Sequence, residues 1–180
     1  MNLKNFCKKV SFIGIFTLFF LIVFLSNSSS IMLGLSTEKL TKNSDLVVEG
    51  EVEDTISEWS KNGKTIITSA NIIVSNVIKG VMPYYKIIVE YEGGLIGDLG
   101  MRVSDEVQLS KGERVIIFLK EGKSKKDGTV FKIVGKSQGK YVIDNNGVAR
   151  KQGFSLVQGK EFIDNDIPVE ELVEKIRRVE

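Results

Sequence analysis

From Leu46 onward, apolar and charged positions alternate with a period of two, which predicts a β-strand with one buried and one solvated face. Two valines and a glycine alternate here with three glutamates, and the strand is expected to reach about Trp59. Asn62-Gly63 follows, and this dipeptide favours a tight hairpin because both residues tolerate a positive φ. We therefore expect the chain to return antiparallel from Thr65 to Ile78.

Turn-forming residues divide the rest of the body into further short strands. The predicted strands are Tyr85 to Tyr91, Met101 to Leu109, Arg114 to Lys120, Thr129 to Val134 and Lys140 to Asp144. The strand from Arg114 contains five consecutive apolar residues and is expected to be buried on both faces. About six or seven short strands without long intervening helices favour a small closed or nearly closed β-barrel.

Two short helices are predicted to bracket the strands. Ser36 is a typical N-cap residue, and the residues from it to Asn43 are expected to form one or two helical turns. Pro168 is a good first helical residue, and apolar residues recur at helical spacing from there to about Arg178. The carboxylates and amide of Asp164 to Asp166 are expected to cap this C-terminal amphipathic helix.

The first 30 residues have the layout of a secretory signal peptide. Three lysines and no acidic residue precede an uncharged apolar run from Val10 to Leu25, and small polar residues follow from Ser26 to Ser30. Cleavage after Ser28 or Ser30 is the favoured prediction. The alternative is an uncleaved transmembrane helix that extends through the serines to Leu33.

Both alternatives place the body outside the cytoplasm, either secreted or tethered to the cytoplasmic membrane by the N-terminal helix. The predicted domains are residues 1–30, a signal peptide or N-terminal membrane anchor, and residues 31–180. The second is a single barrel domain with a C-terminal helix, since about 150 residues suit one core.

The composition of the body excludes most common catalytic chemistries. The chain has no histidine, and Cys7 in the leader is its only cysteine. Zinc, copper and iron sites draw mainly on these two residue types, so neither a metal nor a cofactor is expected. Without the three leader lysines, 22 basic residues face 23 acidic ones, a net charge of −1. We therefore expect no nucleic-acid partner.

Four segments of the body follow one another in a recognisable order: Ser44 to Val52, Val77 to Gly80, the glycine loop Gly93 to Gly100, and Gly112 to Leu119. Together they resemble the core of the netrin-like (NTR) OB-fold domains, which include the tissue inhibitors of metalloproteinases. A set of exported prokaryotic proteins with the same order of motifs is similar over about Leu35 to Ile143. The resemblance implies a mainly β, OB-like antiparallel barrel. The inhibitors ligate a metal through an N-terminal cysteine, and since the body has none, that mechanism is not carried over.

The glycine loop and a nearby hairpin supply the candidate ligand-binding residues. They are Trp59, Gly94, Gly97, Asp98, Gly100 and Arg102. A glycine-rich loop cradles phosphate when it opens a helix, but a strand is predicted to follow this one, so a loop across the barrel end is favoured. Asp98 and Arg102 are expected to make a polar contact on its rim. An exposed aromatic residue such as Trp59 often supplies binding energy.

These observations predict a non-enzymatic binding module for a protein or a cell-envelope component. The first alternative is a membrane-anchored structural or accessory domain whose C-terminal helix docks a partner. The second is an envelope hydrolase that uses the glutamates of the first strand, Ser110-Lys111 or Lys136-Ser137. No catalytic residue is predicted, because neighbouring residues on a strand point to opposite faces.

Overall fold

In this computed structural model, the described part of the chain comprises residues 34–82, 84–122, 129–151 and 164–179. Its strands are β1 (Leu46–Trp59), β2 (Ile66–Lys79), β3 (Lys86–Glu92), β4 (Gly94–Ile96), β5 (Leu99–Met101), β6 (Arg114–Glu121), β7 (Val130–Ile133), β8 (Lys140–Ile143), β9 (Val148–Arg150) and β10 (Ile167–Pro168). Its helices are α1 (Thr37–Asn43), α2 (Val169–Arg177) and a 3-10 turn, Lys136–Gly139. The predicted leader lies outside the described residues.

Five strands close into a barrel. Their order around it is β1, β2, β3, β7 and β6, and β6 pairs again with β1. The strands β8, β9 and β10 extend the sheet from β6. The mainly β architecture, the barrel and the two short helices are thus as predicted from the pattern of the sequence.

One pairing departs from the predicted antiparallel arrangement. β3 and β7 run parallel, with Ile88 opposite Val130 and Val89 opposite Phe131. A two-residue turn joins only antiparallel neighbours, whereas parallel strands need a long crossover. The chain between β3 and β7 supplies it, because it contains the glycine loop and β6.

β1 and β2 form a long hairpin that extends beyond the pairing of β1 with β6. Asn62-Gly63 lies in the connecting turn, where Gly63 has a φ of +66° and Ser60 N donates to Thr65 O at 2.8 Å. β1 pairs with β6 only as far as Glu51 but with β2 as far as Trp59. The residues from Thr55 to Trp59 therefore belong to an arm, which we call the β1–β2 arm.

Two hydrophobic cores share the strand β6. Val115, Ile117 and Leu119 pack in the first core together with apolar residues of β1, β2 and β3. Ile116 and Phe118 point the other way, into a second core that also holds the apolar residues of α1 and α2. All five side chains are fully buried, as the apolar run of the sequence predicted.

The predicted strand from Met101 to Leu109 is wrong. β5 ends at Met101, and the residues that follow it have no ladder partner. Val107 and Leu109 are nevertheless buried in the first core, which explains the strand-like alternation of the sequence. The glycine loop itself forms the short hairpin β4–β5, which the sequence did not predict, and the described strands number ten instead of about six or seven.

The start of the C-terminal helix also differs from the prediction. Pro168 is the N-cap residue, and no side chain caps the first turn of α2. Asp164 is instead buried in the second core region, where Lys175 donates to its carboxylate. Within the described ranges, neither α1 nor α2 has the length and hydropathy that a membrane crossing requires.

Candidate functional site

A cleft of about 670 Å³ opens at the end of the barrel beside the β1–β2 arm. One wall is the β4–β5 hairpin, and the opposite wall is the irregular segment 102–110. The polar groups of its lining are mostly uncharged hydroxyl, amide and backbone groups. The hydroxyl groups belong to Thr55, Ser57, Thr68, Tyr91 and Ser110.

Gly94 holds the hairpin wall of the cleft against the arm. A Cβ atom on Gly94 would lie 2.2 Å from Thr68 Oγ1 and 2.4 Å from Ser57 Oγ, and its φ is +138°. These two hydroxyl oxygens lie 2.8 Å apart, and Thr68 Oγ1 donates to Gly93 O at 2.6 Å. Only glycine allows the backbone to approach the hydroxyl pair so closely in this conformation.

Tyr91 fixes the opposite wall. Its hydroxyl group donates to Leu109 O at 3.4 Å and accepts from Leu109 N at 3.3 Å. Burial raises the pKa of Tyr91 above its usual value, so the hydroxyl group stays protonated at neutral pH. A strand-free segment is thus held in place by one side chain of β3.

The rim of the cleft carries balanced charge. Glu92 and Arg102 are the charged residues of its described lining, and both are exposed. Gln108 adds an exposed amide. Among the described residues, Arg102 makes no ion pair, and the predicted contact between Asp98 and Arg102 is not formed.

The predicted residues of the glycine loop divide between the wall of the cleft and the hairpin tip. Gly94, Gly100 and Arg102 line the cleft. Gly97 and Asp98 form the exposed tip between β4 and β5. A phosphate cradle, which was the less favoured interpretation of this loop, is not formed, since β5 and an irregular segment follow the loop where a cradle needs a helix.

Trp59 lies near the cleft but outside its described lining. It is 45% exposed and pairs with Ile66 at the end of the arm. Because side chains alternate along a strand, Trp59 lies on the same face of β1 as Thr55 and Ser57, both of which line the cleft. Ile56, between them, points to the opposite face.

A smaller polar chamber of about 180 Å³ shares the segment 102–110 with the main cleft. Ser137 lines this chamber from the 3-10 turn, and we call it the Ser137 chamber. Ser137 is only 2% exposed, and its Oγ has no hydrogen-bond partner among the residues that the structure describes. Lys140 Nζ lies in the same wall, where it donates to Gln108 O at 2.6 Å and to both carboxylate oxygens of Glu113 at 3.2 Å.

In the sequence, Ser137 stands out only as part of a Ser–Lys pair with Lys136. Lys136 Nζ instead donates to Asp105 Oδ2 at 2.7 Å, and the amide of Ser137 donates to Asp105 O at 3.2 Å. No sequence signal distinguishes a buried serine from the exposed ones, so the chamber was not predictable. Burial raises the pKa of Glu106, which also lines the chamber.

A third polar cluster joins the two helices to the second core. Thr37 Oγ1 donates to Asp164 Oδ2 at 2.6 Å and lies 3.0 Å from the Tyr141 hydroxyl oxygen. Burial acts to raise the pKa of Asp164, but hydrogen bonds from Lys175 and Thr37 outweigh it, and the net pKa is lowered. Each of these groups has a partner within the cluster, which is typical of a structural network.

Lys151 covers this cluster. Its Nζ lies 4.6 Å from the centroid of the Tyr141 ring and donates to Gln138 O at 2.8 Å. Burial lowers the pKa of Lys151 to about 8, although the nearby carboxylate of Asp164 acts in the opposite direction.

The described residues contain no group of three or more acidic, histidine or cysteine side chains that converges on a metal site. The carboxylate of Asp144 is used by its own turn, where it accepts from the amides of Asn146 and Val148 at 2.8 and 2.9 Å. No protein-family model matches the sequence, and no curated protein is similar enough to count as a relative. The fold and the site together define a mainly β protein with a closed five-stranded barrel and a polar cleft at one barrel end.

Proposed function

We propose that this protein is an exported, non-enzymatic binding module of the OB-like, netrin-like type, and that its cleft holds a ligand at the cell envelope. The observation that carries the proposal is the cleft itself, whose walls are positioned by Gly94 and Tyr91. Its volume is in the range of ligand pockets, which are roughly 300–1,000 Å³. A closed five-stranded barrel in which β3 and β7 form a parallel pair supports the OB-like assignment.

The bonding of the polar groups favours binding over catalysis. The hydroxyl groups of Ser57 and Thr68 bond each other, and that of Tyr91 bonds the backbone of Leu109, so none is paired with a general base. Two of the three glutamates considered for a hydrolase are engaged elsewhere. Glu49 pairs with Arg114 at 3.2 Å, and Glu53 pairs with Lys86.

The alternative in which the C-terminal helix docks a partner has less support. Leu172, Val173 and Ile176 are buried in the second core, so the apolar face of α2 is covered by the rest of the domain. A partner would have to bind the charged face of a helix with nine residues. The cleft offers a larger and more structured surface.

The test is an NMR screen of polar fragments against the ¹⁵N-labelled protein as recovered from an exporting host. Ligands of the cleft are expected to shift the amides of Gly94, Gly100 and Arg102. The variant Thr55→Trp places an indole in the cleft from an exposed position and should abolish these shifts. Ile56→Trp, on the opposite face of β1, is the matched control and should preserve them. The proposal is wrong if no fragment shifts the cleft, or if both variants behave alike.

A further inference from the structure

We infer that the cleft takes a neutral, hydroxyl-rich glycan, with sugar rings in the main cleft and one polar substituent in the Ser137 chamber. This inference rests on the proposed function and names the chemical class of its ligand. It depends on the lining chemistry of the cleft, on the position of Trp59 and on the unpartnered hydroxyl group of Ser137.

The lining of the main cleft matches a neutral ligand with many hydroxyl groups. The hydroxyl groups of Thr55 and Ser110 are on exposed residues of the cleft, and such groups donate and accept hydrogen bonds as sugar hydroxyl groups do. The hydroxyl groups of Ser57, Thr68 and Tyr91 are bonded within the protein and support the walls. The two charged residues of the described lining, Glu92 and Arg102, are of opposite sign. The site therefore has no net charge with which to attract a polyanion or a polycation. Planar groups such as those of Arg102 and Gln108 can each engage two neighbouring hydroxyl groups.

Trp59 supplies an apolar surface beside these polar groups. It lies two residues beyond Ser57 on the same face of the arm and is 45% exposed. An indole ring offers a large, rigid apolar face, which suits the C–H face of a sugar ring that approaches along the arm.

The Ser137 chamber adds a second, more selective contact. A buried polar group without a partner is rare, and it indicates a missing water or ligand. At about 30 Å³ per water molecule, the chamber of about 180 Å³ has room for roughly six waters or for one substituent of a sugar. Arg102, Gln108 and Ser110 line both spaces, so the chamber and the main cleft are neighbours along the segment 102–110.

The groups around Ser137 favour a neutral substituent. The ammonium group of Lys140 is already bonded to Gln108 O and to the carboxylate of Glu113. Its charge is thereby balanced within the wall, and Ser137 Oγ is left as the free donor and acceptor. A hydroxyl or acetamido group of a sugar can both accept a hydrogen bond from the Ser137 hydroxyl group and donate one to it.

The test is a titration with chitotriose and with cellotriose, monitored by NMR and calorimetry. It uses the protein as recovered from an exporting host. Saturable shifts of cleft amides are expected for at least one of the two sugars, and Thr55→Trp should remove them. Ser137→Val fills part of the chamber and is expected to weaken binding about tenfold or more. Ser75→Val, at an exposed serine on β2, is the matched control and should bind like the wild type.

Gln108→Ala keeps the inference testable if Ser137→Val does not fold, because Gln108 is exposed and lines both spaces. It should weaken binding several-fold while the thermal midpoint stays unchanged. If fragments bind the cleft but neither sugar does, the proposed function stands and the glycan inference is overturned. If the Thr55→Trp variant binds the sugar as well as the wild type does, the glycan inference is overturned too. If Ser137→Val and Gln108→Ala both bind normally, the chamber holds only water, and its assignment fails.

Discussion

Gly94 determines where the wall of the cleft lies, because its missing side chain lets the backbone touch two hydroxyl groups. Ser57, Thr68 and Gly93 form a short chain of hydrogen bonds directly behind it. A larger residue cannot enter this space without separating the β4–β5 hairpin from the β1–β2 arm.

We therefore predict that Gly94→Ala destabilises the protein by about 2–4 kcal/mol, since it combines a backbone strain with the loss of these hydrogen bonds. Gly97→Ala is the matched control, because Gly97 also has a positive φ, +57°, but nothing lies within 4 Å of its Cβ position. The control should cost only about 1 kcal/mol. Urea unfolding of both variants measures the difference, and equal costs would contradict the role of the hydroxyl pair.

The buried ammonium group of Lys151 should make the stability of the protein depend on pH. Its ammonium group faces the Tyr141 ring and the carboxylate of Asp164, and burial lowers its pKa to about 8. An unfolded lysine has a pKa near 10.4, so between these values the unfolded state binds more protons than the native state. The free energy of unfolding must then rise with pH over this interval.

We expect the protein to gain about 1–2 kcal/mol of stability between pH 7.5 and 9.5, measured by urea unfolding. Lys151→Met should remove this gain, whereas Lys111→Met, at an exposed lysine, should keep it. The range ends below pH 10 because burial also raises the pKa of Tyr141, which begins to oppose folding above that pH. An unchanged slope in Lys151→Met would show that another group titrates.

The sequence predicted one part of the candidate site and missed another for a physical reason. A cluster of glycines indicates that the backbone approaches another part of the protein closely. Gly94 and Gly100 were singled out for this reason, and both line the cleft. Ser57 was not singled out, and Ser137 was named only in the pair Lys136-Ser137, because serine is common at exposed positions and its burial depends on contacts between distant segments. Binding by any of these residues remains a prediction.

At the level of secondary structure, the strands with strong local signals were predictable. β1 and β2 are marked by alternation and by Asn62-Gly63, and β6 by its apolar run. The segment after Met101 was assigned as a strand because buried Val107 and Leu109 alternate with polar residues. It lacks a ladder partner, and partners depend on the tertiary arrangement that a local pattern does not contain.

The strand β6 offers a direct test of the two cores. Phe118 packs against Tyr141, with ring centroids 6.1 Å apart, in the core that holds α1 and α2, while Ile117 faces the first core. We predict that Phe118→Ala costs about 3–5 kcal/mol and that Ile117→Ala costs about 2–5 kcal/mol. The two variants should differ in which helices and strands lose their protection against hydrogen exchange.

Hydrogen exchange with mass spectrometry separates the two effects. Phe118→Ala should increase exchange mainly in α2, whereas Ile117→Ala should increase it in β1 and β3 as well. Because the two residues are neighbours on one strand, each variant is the control of the other. Similar exchange patterns in both variants would contradict the division into two cores.

For the molecule as a whole, stability must come from the two cores, since the body contains no cysteine and so no disulfide. A body of about 150 residues buries enough surface to fold without such links. The proposed export requires this, because a body that crosses the membrane unfolded has to fold outside the cytoplasm without its partners.

The last prediction concerns the leader, on which the proposed location depends. Its serine-rich end, Ser26 to Ser30, interrupts the apolar run before a full membrane span of about 20 residues is reached, which favours cleavage over anchoring. Intact mass and N-terminal sequencing of the protein from medium and membrane fractions of its host should therefore give a mature start near Ser29 or Ile31. Such a form has a net charge near −1 and carries the cleft into the envelope or the medium. A full-length chain that starts at Met1 in the membrane fraction would contradict the secreted form and would favour the anchored accessory domain.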